Sequence, residues 1–183
     1  MMDNFFTTLR AYCEQLRIPL ISRETQAFLD ELLEKKRPQR VLEIWAAVGF
    51  SSIFIAQKIA SRWGVISSFE ICYPSYLQAL RNIEKAQISN ITLYPFDINE
   101  IQLEDFFSQK FDFVFIDAQK SQYGDYMKKI QTHLSKKNTL LLDDVIKYQH
   151  KLDWLYSFLS KNQLNYKIYD TEPGDGVMLI ENN

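Results

Sequence analysis

Arg40-Val41-Leu42-Glu43-Ile44-Trp45-Ala46-Ala47-Val48-Gly49-Phe50-Ser51-Ser52 is the stretch that decides the fold. A short aliphatic run, a turn ending in glycine and the start of a helical pattern read together as the opening βα unit of a parallel sheet. The same alternation then repeats to the end of the chain. Strands are predicted at 40–45, 65–70, 91–96, 111–117, 139–144, 166–170 and 176–181, and helices at 51–61, 74–86, 104–108, 122–134 and 149–161. Short strands alternating with longer helices define an α/β fold, a mostly parallel seven-stranded Rossmann-like sheet with helices on both faces. Thr171, Glu172, Pro173, Gly174 and Asp175 form a turn that makes the last two strands a hairpin, so one strand runs antiparallel. Pro74 suits a first helical turn, where its missing N–H is not needed.

Ahead of the sheet, two helices are predicted at 4–16 and 22–36, with Ser22 as a cap and Pro19 and Pro38 marking the breaks. They form an N-terminal appendage, residues 1–38, to a core of residues 39–183. A length of 183 residues with 46% hydrophobic content suits one domain and one substantial core. The longest apolar runs are strand-sized, well short of the roughly 20 residues that cross a bilayer. Residues 1–20 lack the basic, apolar and small-residue regions of a signal peptide, so the expected location is cytoplasmic. Cys13 and Cys72 sit in no paired motif and are expected to be reduced, inert fillers.

A net charge of −2 gives no overall basic field to attract a polyanion. The local basic clusters are Lys35, Lys36, Arg37 and Arg40, then Lys128, Lys129, Lys136 and Lys137. Both are read as solvated helix ends and loops.

Ligands of open α/β sheets bind at the carboxyl ends of the strands, where strand order reverses. Those ends carry acids. Glu70 closes the second strand, where a carboxylate can accept from both hydroxyls of a ribose. Asp97 follows the third strand, as an adenine-amine contact or an Asx turn. Glu43 lies inside a strand expected to be buried, which an unpaired acid makes costly. It is therefore read as an anchor for the first turn or for a ligand's ammonium group. At the ends of the fourth and fifth strands stand Asp117, Asp143 and Asp144. Three converging carboxylates repel one another unless a cation joins them, and an all-oxygen set favours Mg²⁺, Ca²⁺ or Mn²⁺. Lys120, three residues past Asp117, could take a proton from a hydroxyl held there. Tyr123 is read as a helix-facing aromatic, and Gly174-Asp175-Gly176 as turn chemistry.

Val41-Leu42-Glu43-Ile44, Val48-Gly49-Phe50-Ser51-Ser52, Phe111 through Lys120 and Leu142-Asp143-Asp144-Val145 together resemble the cation-dependent O-methyltransferases, which include the catechol and caffeoyl-coenzyme A enzymes. Leu9-Arg10-Ala11-Tyr12, Ile18-Pro19, Ala118 through Tyr123 and Gly174-Asp175-Gly176 make the chain more similar to the bacterial tRNA 5-hydroxyuridine methyltransferase branch. The resemblance implies a site for S-adenosylmethionine lined by Glu43, Gly49, Glu70 and Asp97. Trp45, Ala46 and Ser51 of the first turn, and Asp117, border it. It further implies Mg²⁺ or Mn²⁺ on Asp117, Asp143 and Asp144, and deprotonation assisted by Lys120. The implied acceptor is tRNA, or else a small hydroxylated metabolite, and the N-terminal helices are candidates for covering the acceptor or forming a homodimer face. Three departures stand out. The family usually has Gly, then Thr or Ser, at Trp45 and Ala46; its usual Asp-Asn pair is Asp143-Asp144; and the stretch after Val145 is short. The other reading is a catalytically silent Rossmann-like binding or scaffold protein, with Trp45 filling the methionine pocket. A nicotinamide dehydrogenase is disfavoured because the first turn lacks G-x-G-x-x-G.

Overall fold

The computed structural model describes residues 2–182; Met1 and Asn183, which the expected single domain includes, lie outside the described residues. Two helices come first, α1 (Met2–Leu16) and α2 (Arg23–Lys36). Then follow β1 (Arg40–Ile44), α3 (Phe50–Ala60), β2 (Val65–Phe69), α4 (Tyr73–Ala86) and β3 (Ile91–Tyr94). The second half holds α5 (Leu103–Phe106), β4 (Phe111–Ile116), α6 (Tyr123–Ile130), β5 (Leu134–Leu142), α7 (Asp153–Lys161), β6 (Tyr166–Glu172) and β7 (Asp175–Asn182). The strands form a seven-stranded sheet in the order β3-β2-β1-β4-β5-β7-β6. Every pairing from β3 to β5 is parallel, and β7 runs antiparallel to both β5 and β6. The expected fold class is met.

The two faces follow from the period-two alternation of strand side chains. Leu42, Ile44, Val114, Ile116, Leu140, Leu142, Met178 and Ile180 face one cluster, shared with α6 and α7. Val41, Phe113, Phe115, Leu141, Val177 and Leu179 face the other, shared with α3. Leu9, Cys13, Leu29 and Leu33 of α1 and α2 are buried in that second cluster. Ser22 caps α2 as its spacing predicted, accepting from the Thr25 N–H at 2.9 Å. Arg10 joins the two helices: it donates to the Ile21 carbonyl at 3.1 Å and the Gln26 side chain at 2.8 Å, with its guanidinium 4.6 Å from the Phe50 ring centre.

Three local expectations need correction. The predicted helix at 122–134 is α6 followed by a single 3₁₀ turn, Gln131–His133, because Leu134 is already paired with Phe111 in the sheet. An irregularity separates that pair from the regular register, which resumes at Phe113 and Thr139. The helix predicted from 149 begins as a 3₁₀ turn, Gln149–Lys151, and becomes α-helical at Asp153. Cys72 is exposed, not a core filler, whereas Cys13 is buried. Among the described residues no helix is long and apolar enough to cross a membrane.

Candidate active site

Because β1 leads to β2 on one side and stands beside β4 on the other, strand order reverses between β1 and β4, and a crevice opens at their carboxyl ends. Backbone hydrogen bonds carry the parallel ladder one residue past each strand, which fixes where the acids emerge. Asp117 donates its N–H to the Ile44 carbonyl at 3.3 Å, Asp143 to Ile116 at 2.9 Å and Glu70 to Tyr94 at 3.0 Å. Trp45 and Ala46 both donate to Phe69 at 2.9 Å. The acids at 70, 117, 143 and 144 therefore stand along one rim.

The first turn is unusually bent. Trp45 (φ 74°), Ala47 (φ 47°) and Gly49 (φ 84°) are all left-handed, and for the two non-glycine residues that region costs about 1–2 kcal/mol each. Glu70 holds the turn. Its Oε2 accepts the Ala47 N–H at 2.7 Å and its Oε1 accepts the Cys72 N–H at 2.6 Å. Burial pushes the Glu70 carboxyl up, while these N–H groups and that of Ile71 pull it back down. Gly49 serves close packing: a Cβ there would lie 3.2 Å from that of Ala79 on α4, and Asn82 of the same helix donates to the Val48 carbonyl at 2.8 Å. The Trp45 indole is half-buried against the core, and its Nε1 is buried without a hydrogen-bond partner.

Glu43 is fully buried and points toward α3. Ser52 of α3 and Ser68 of β2 donate to its Oε2, the latter at 2.6 Å, and Oε1 is left without a partner. Of the two roles foreseen for it, the geometry displays the anchor, tying α3 to the sheet beneath the first turn. Burial pushes its carboxyl up, against the pull of the Ser51, Ser52 and Ser68 hydroxyls. The folded state thus keeps a proton that the unfolded chain releases, so stability falls as pH rises from the ordinary carboxyl range toward the raised folded value. Glu43→Gln, which carries no titrating group, is expected to gain melting temperature on the parent as pH rises from 4 to 7. Parallel melting curves across that range would refute this account.

Asp97 forms the Asx turn: its carboxylate accepts the Asn99 N–H at 2.8 Å and caps the 3₁₀ turn Ile98–Glu100.

The remaining acids are grouped around Lys120. Its Nζ lies 2.8 Å from Asp117 Oδ1 and 2.9 Å from Asp144 Oδ2, and 5.4 Å from the Tyr123 ring centre. Burial works against the ammonium charge, but Tyr123, Asp117 and Asp144 outweigh it and raise the pKa. Asp144, which burial alone would raise, is held below the usual carboxyl range by Lys120. Asp143 is pushed well above it by burial and then by its neighbours Asp117 and Asp144.

Three residues matter more here than their sequence suggested. The Tyr123 hydroxyl lies 3.2 Å from the Ile116 carbonyl and 3.0 Å from that of Asp143, tying the two acidic strand ends together. Asp175 is buried, accepts the Gly176 and Lys147 N–H groups at 2.7 and 3.2 Å, and shares a hydrogen bond with Asp144. Thr25 of α2, 3.4 Å from Asp143 Oδ1, brings the N-terminal helices to this rim. Asp175 was at least within a quoted motif, whereas a lone threonine carries no signal in sequence.

The three acids expected to bind a divalent cation have suitable hard-oxygen chemistry. Their arrangement does not fit one: among the described residues no three Asp, Glu, His or Cys side chains stand where they could hold a metal ion, and the Lys120 ammonium joins two of the three instead.

The fold and rim define a Rossmann-like α/β protein of the class that binds nucleotide-like ligands at its strand ends. A family model described as O-methyltransferase matches residues 4–153, and the chain belongs to that family. Among solved structures of the same fold is the TomG O-methyltransferase of Streptomyces achromogenes, in complex with SAM and involved in tomaymycin synthesis. Its identity to this chain is 16% and the TM-score 0.83, with 98% of this chain and 89% of that chain covered. A Bacillus cereus O-methyltransferase in complex with SAH is similar at 18% identity and TM-score 0.80, covering 97% and 90%. An SAH-bound methyltransferase of Podospora anserina matches at 17% identity and TM-score 0.80, covering 98% and 86%.

Proposed function

We propose that this chain transfers a methyl group from S-adenosylmethionine to a hydroxyl oxygen, with 5-hydroxyuridine in tRNA as the leading acceptor and a small catechol-like metabolite as the runner-up. The observation that carries the reading is the gathering of Glu70, Asp117, Asp143 and Asp144 on one rim at the switch point of the sheet. Related folds that hold SAM or SAH support the donor.

The residues suit the nucleoside end of that donor. Glu70 uses one lone pair on each oxygen for backbone N–H groups, and a carboxylate has about four, which leaves capacity for two ribose hydroxyls. Ile71 and Phe96, two residues beyond the paired Phe69 and Tyr94, are apolar yet 47% and 42% exposed, and offer surface for a flat base. Trp45 is the bulky element, where the donor's amino-acid end meets the first turn. On this reading Gly49, Ala46 and Ser51 shape the turn, and Asp117 borders both donor and acceptor.

The acceptor's proton must go to a base as the oxygen attacks the methyl carbon and the sulfur leaves. Lys120 can take it only as a neutral amine, so its contacts with Asp117 and Asp144 must first be broken.

A polyanionic acceptor is favoured by one feature beyond the acids. Past Asp144, the Tyr148 ring lies between Lys147 and Lys151, whose ammonium groups are 5.2 and 4.9 Å from its centre. A basic pair beside a partly exposed aromatic ring suits RNA phosphates and bases. Of the clusters noted in sequence, Lys36, Arg40 and Lys137 line a cavity of about 430 Å³ at the amino ends of the strands, and Lys128 and Lys129 line a separate one beside Gln122 and Asp125.

The test has two parts. Calorimetric titration with S-adenosylmethionine should show binding that Glu70→Ala weakens about 100-fold, as expected for two hydrogen bonds to a charged group. No binding to the parent protein would end the reading. Nucleoside mass spectrometry of tRNA from cells lacking the protein should show loss of 5-methoxyuridine or its derivatives, and an unchanged profile would eliminate tRNA as acceptor.

A further inference from the structure

The divalent ion was expected because three carboxylates at adjacent strand ends need a positive charge between them. The structure supplies that charge from the chain itself. Lys120 is 9% exposed, and its Nζ makes two charged hydrogen bonds, at 2.8 Å to Asp117 and 2.9 Å to Asp144. The 3₁₀ turn Lys120–Gln122 starts three residues past Asp117, the first residue after β4, and the lysine reaches back to the Asp117 carboxylate. Tyr123 closes the other side, its ring 5.4 Å from the ammonium and its hydroxyl on the carbonyls of Ile116 and Asp143. The remaining carboxylate, Asp143, is buried and draws on its neighbour's N–H and the Thr25 hydroxyl.

We propose that Lys120 is the resident cation of this rim: tethered between Asp117 and Asp144, it neutralises the acid cluster, and a divalent ion reaches those two carboxylates only by displacing it. The inference goes beyond the proposed methyl transfer and stands whether or not that is the chemistry, since it concerns what balances the charge. It makes two demands. The fold of the parent protein does not depend on a divalent ion, and removal of the lysine head group creates that dependence, because unpaired buried charges are strongly destabilising.

Thermal unfolding of the full chain tests both, in excess chelator and in millimolar MgCl₂ or MnCl₂. The parent is expected to melt at the same temperature in all three, within about 1 °C. Lys120→Met is expected to melt roughly 10 °C lower in chelator, and to recover most of the loss in MnCl₂ or MgCl₂. Asp144→Asn added to Lys120→Met removes one of the repelling charges, and is expected to recover stability in chelator without any metal. A parent protein whose melting temperature rises several degrees in either salt would overturn the proposal. So would a Lys120→Met protein that melts like the parent, or one that neither metal restores. Should Lys120→Met fail to fold, the double variant decides: folding in chelator supports the inference, and failure overturns it.

Discussion

Trp45→Gly is expected to tighten binding of S-adenosylmethionine about 10-fold or more while changing stability by less than about 2 kcal/mol. Two opposed effects keep the stability change small. Deleting a well-packed Trp side chain typically costs about 3–5 kcal/mol, although this indole is only partly buried. Against that loss, the residue occupies a left-handed backbone, φ 74°, which glycine adopts without the penalty of about 1–2 kcal/mol. The buried indole N–H also lacks a partner, a defect costing about 1–3 kcal/mol that the substitution removes. Donor affinity has no such compensation, because position 45 opens the turn that Glu70 clamps and that faces the switch point. Calorimetric titration of both proteins, alongside urea unfolding, measures the two effects separately. Equal donor affinity in the two proteins would mean that the indole does not obstruct the cofactor.

The second large effect is expected at Gly176, where alanine should lower stability by about 3 kcal/mol, or the melting temperature by roughly 6–12 °C. A Cβ at this position would stand 2.2 Å from the Tyr169 carbonyl oxygen and 2.8 Å from Ile146 Cδ1. The carbonyl belongs to β6, the paired strand, so it cannot retreat without opening the hairpin. The disturbance also reaches the rim. Gly176 accepts the Val145 N–H at 3.0 Å and donates to Asp175, the acid beside Asp144. Gly174→Ala is the control for conformation alone: it has φ 84° but nothing within 4 Å of an added Cβ, and should cost only about 1 kcal/mol. Similar losses for the two variants would mean that the close approach of Gly176 to β6 costs no more than an ordinary strained turn position.

The strands and most helices were legible because their signals are local. Apolar residues at spacing two or near 3.6, Ser22 before α2, and Pro173-Gly174 between β6 and β7 act over a few residues. The acids at 70, 117, 143 and 144 were legible for the same reason, since each follows its strand directly. Helix ends set by distant partners were not. The helix foreseen through 134 stops short because Phe111 recruits Leu134 to the sheet, a pairing between residues far apart in the chain.

By itself, then, the sequence determined the α/β class, the hairpin and the acidic character of one rim, through short-range periodicity and turn chemistry. Only the tertiary structure decided which groups answer those acids. Lys120, past β4, reaches Asp144 at the end of the neighbouring β5, Asp175 arrives beside Asp144 from the antiparallel strand, and Thr25 comes to Asp143 from α2. Each of these contacts depends on strand order and register, which bring together residues that no spacing along the chain connects.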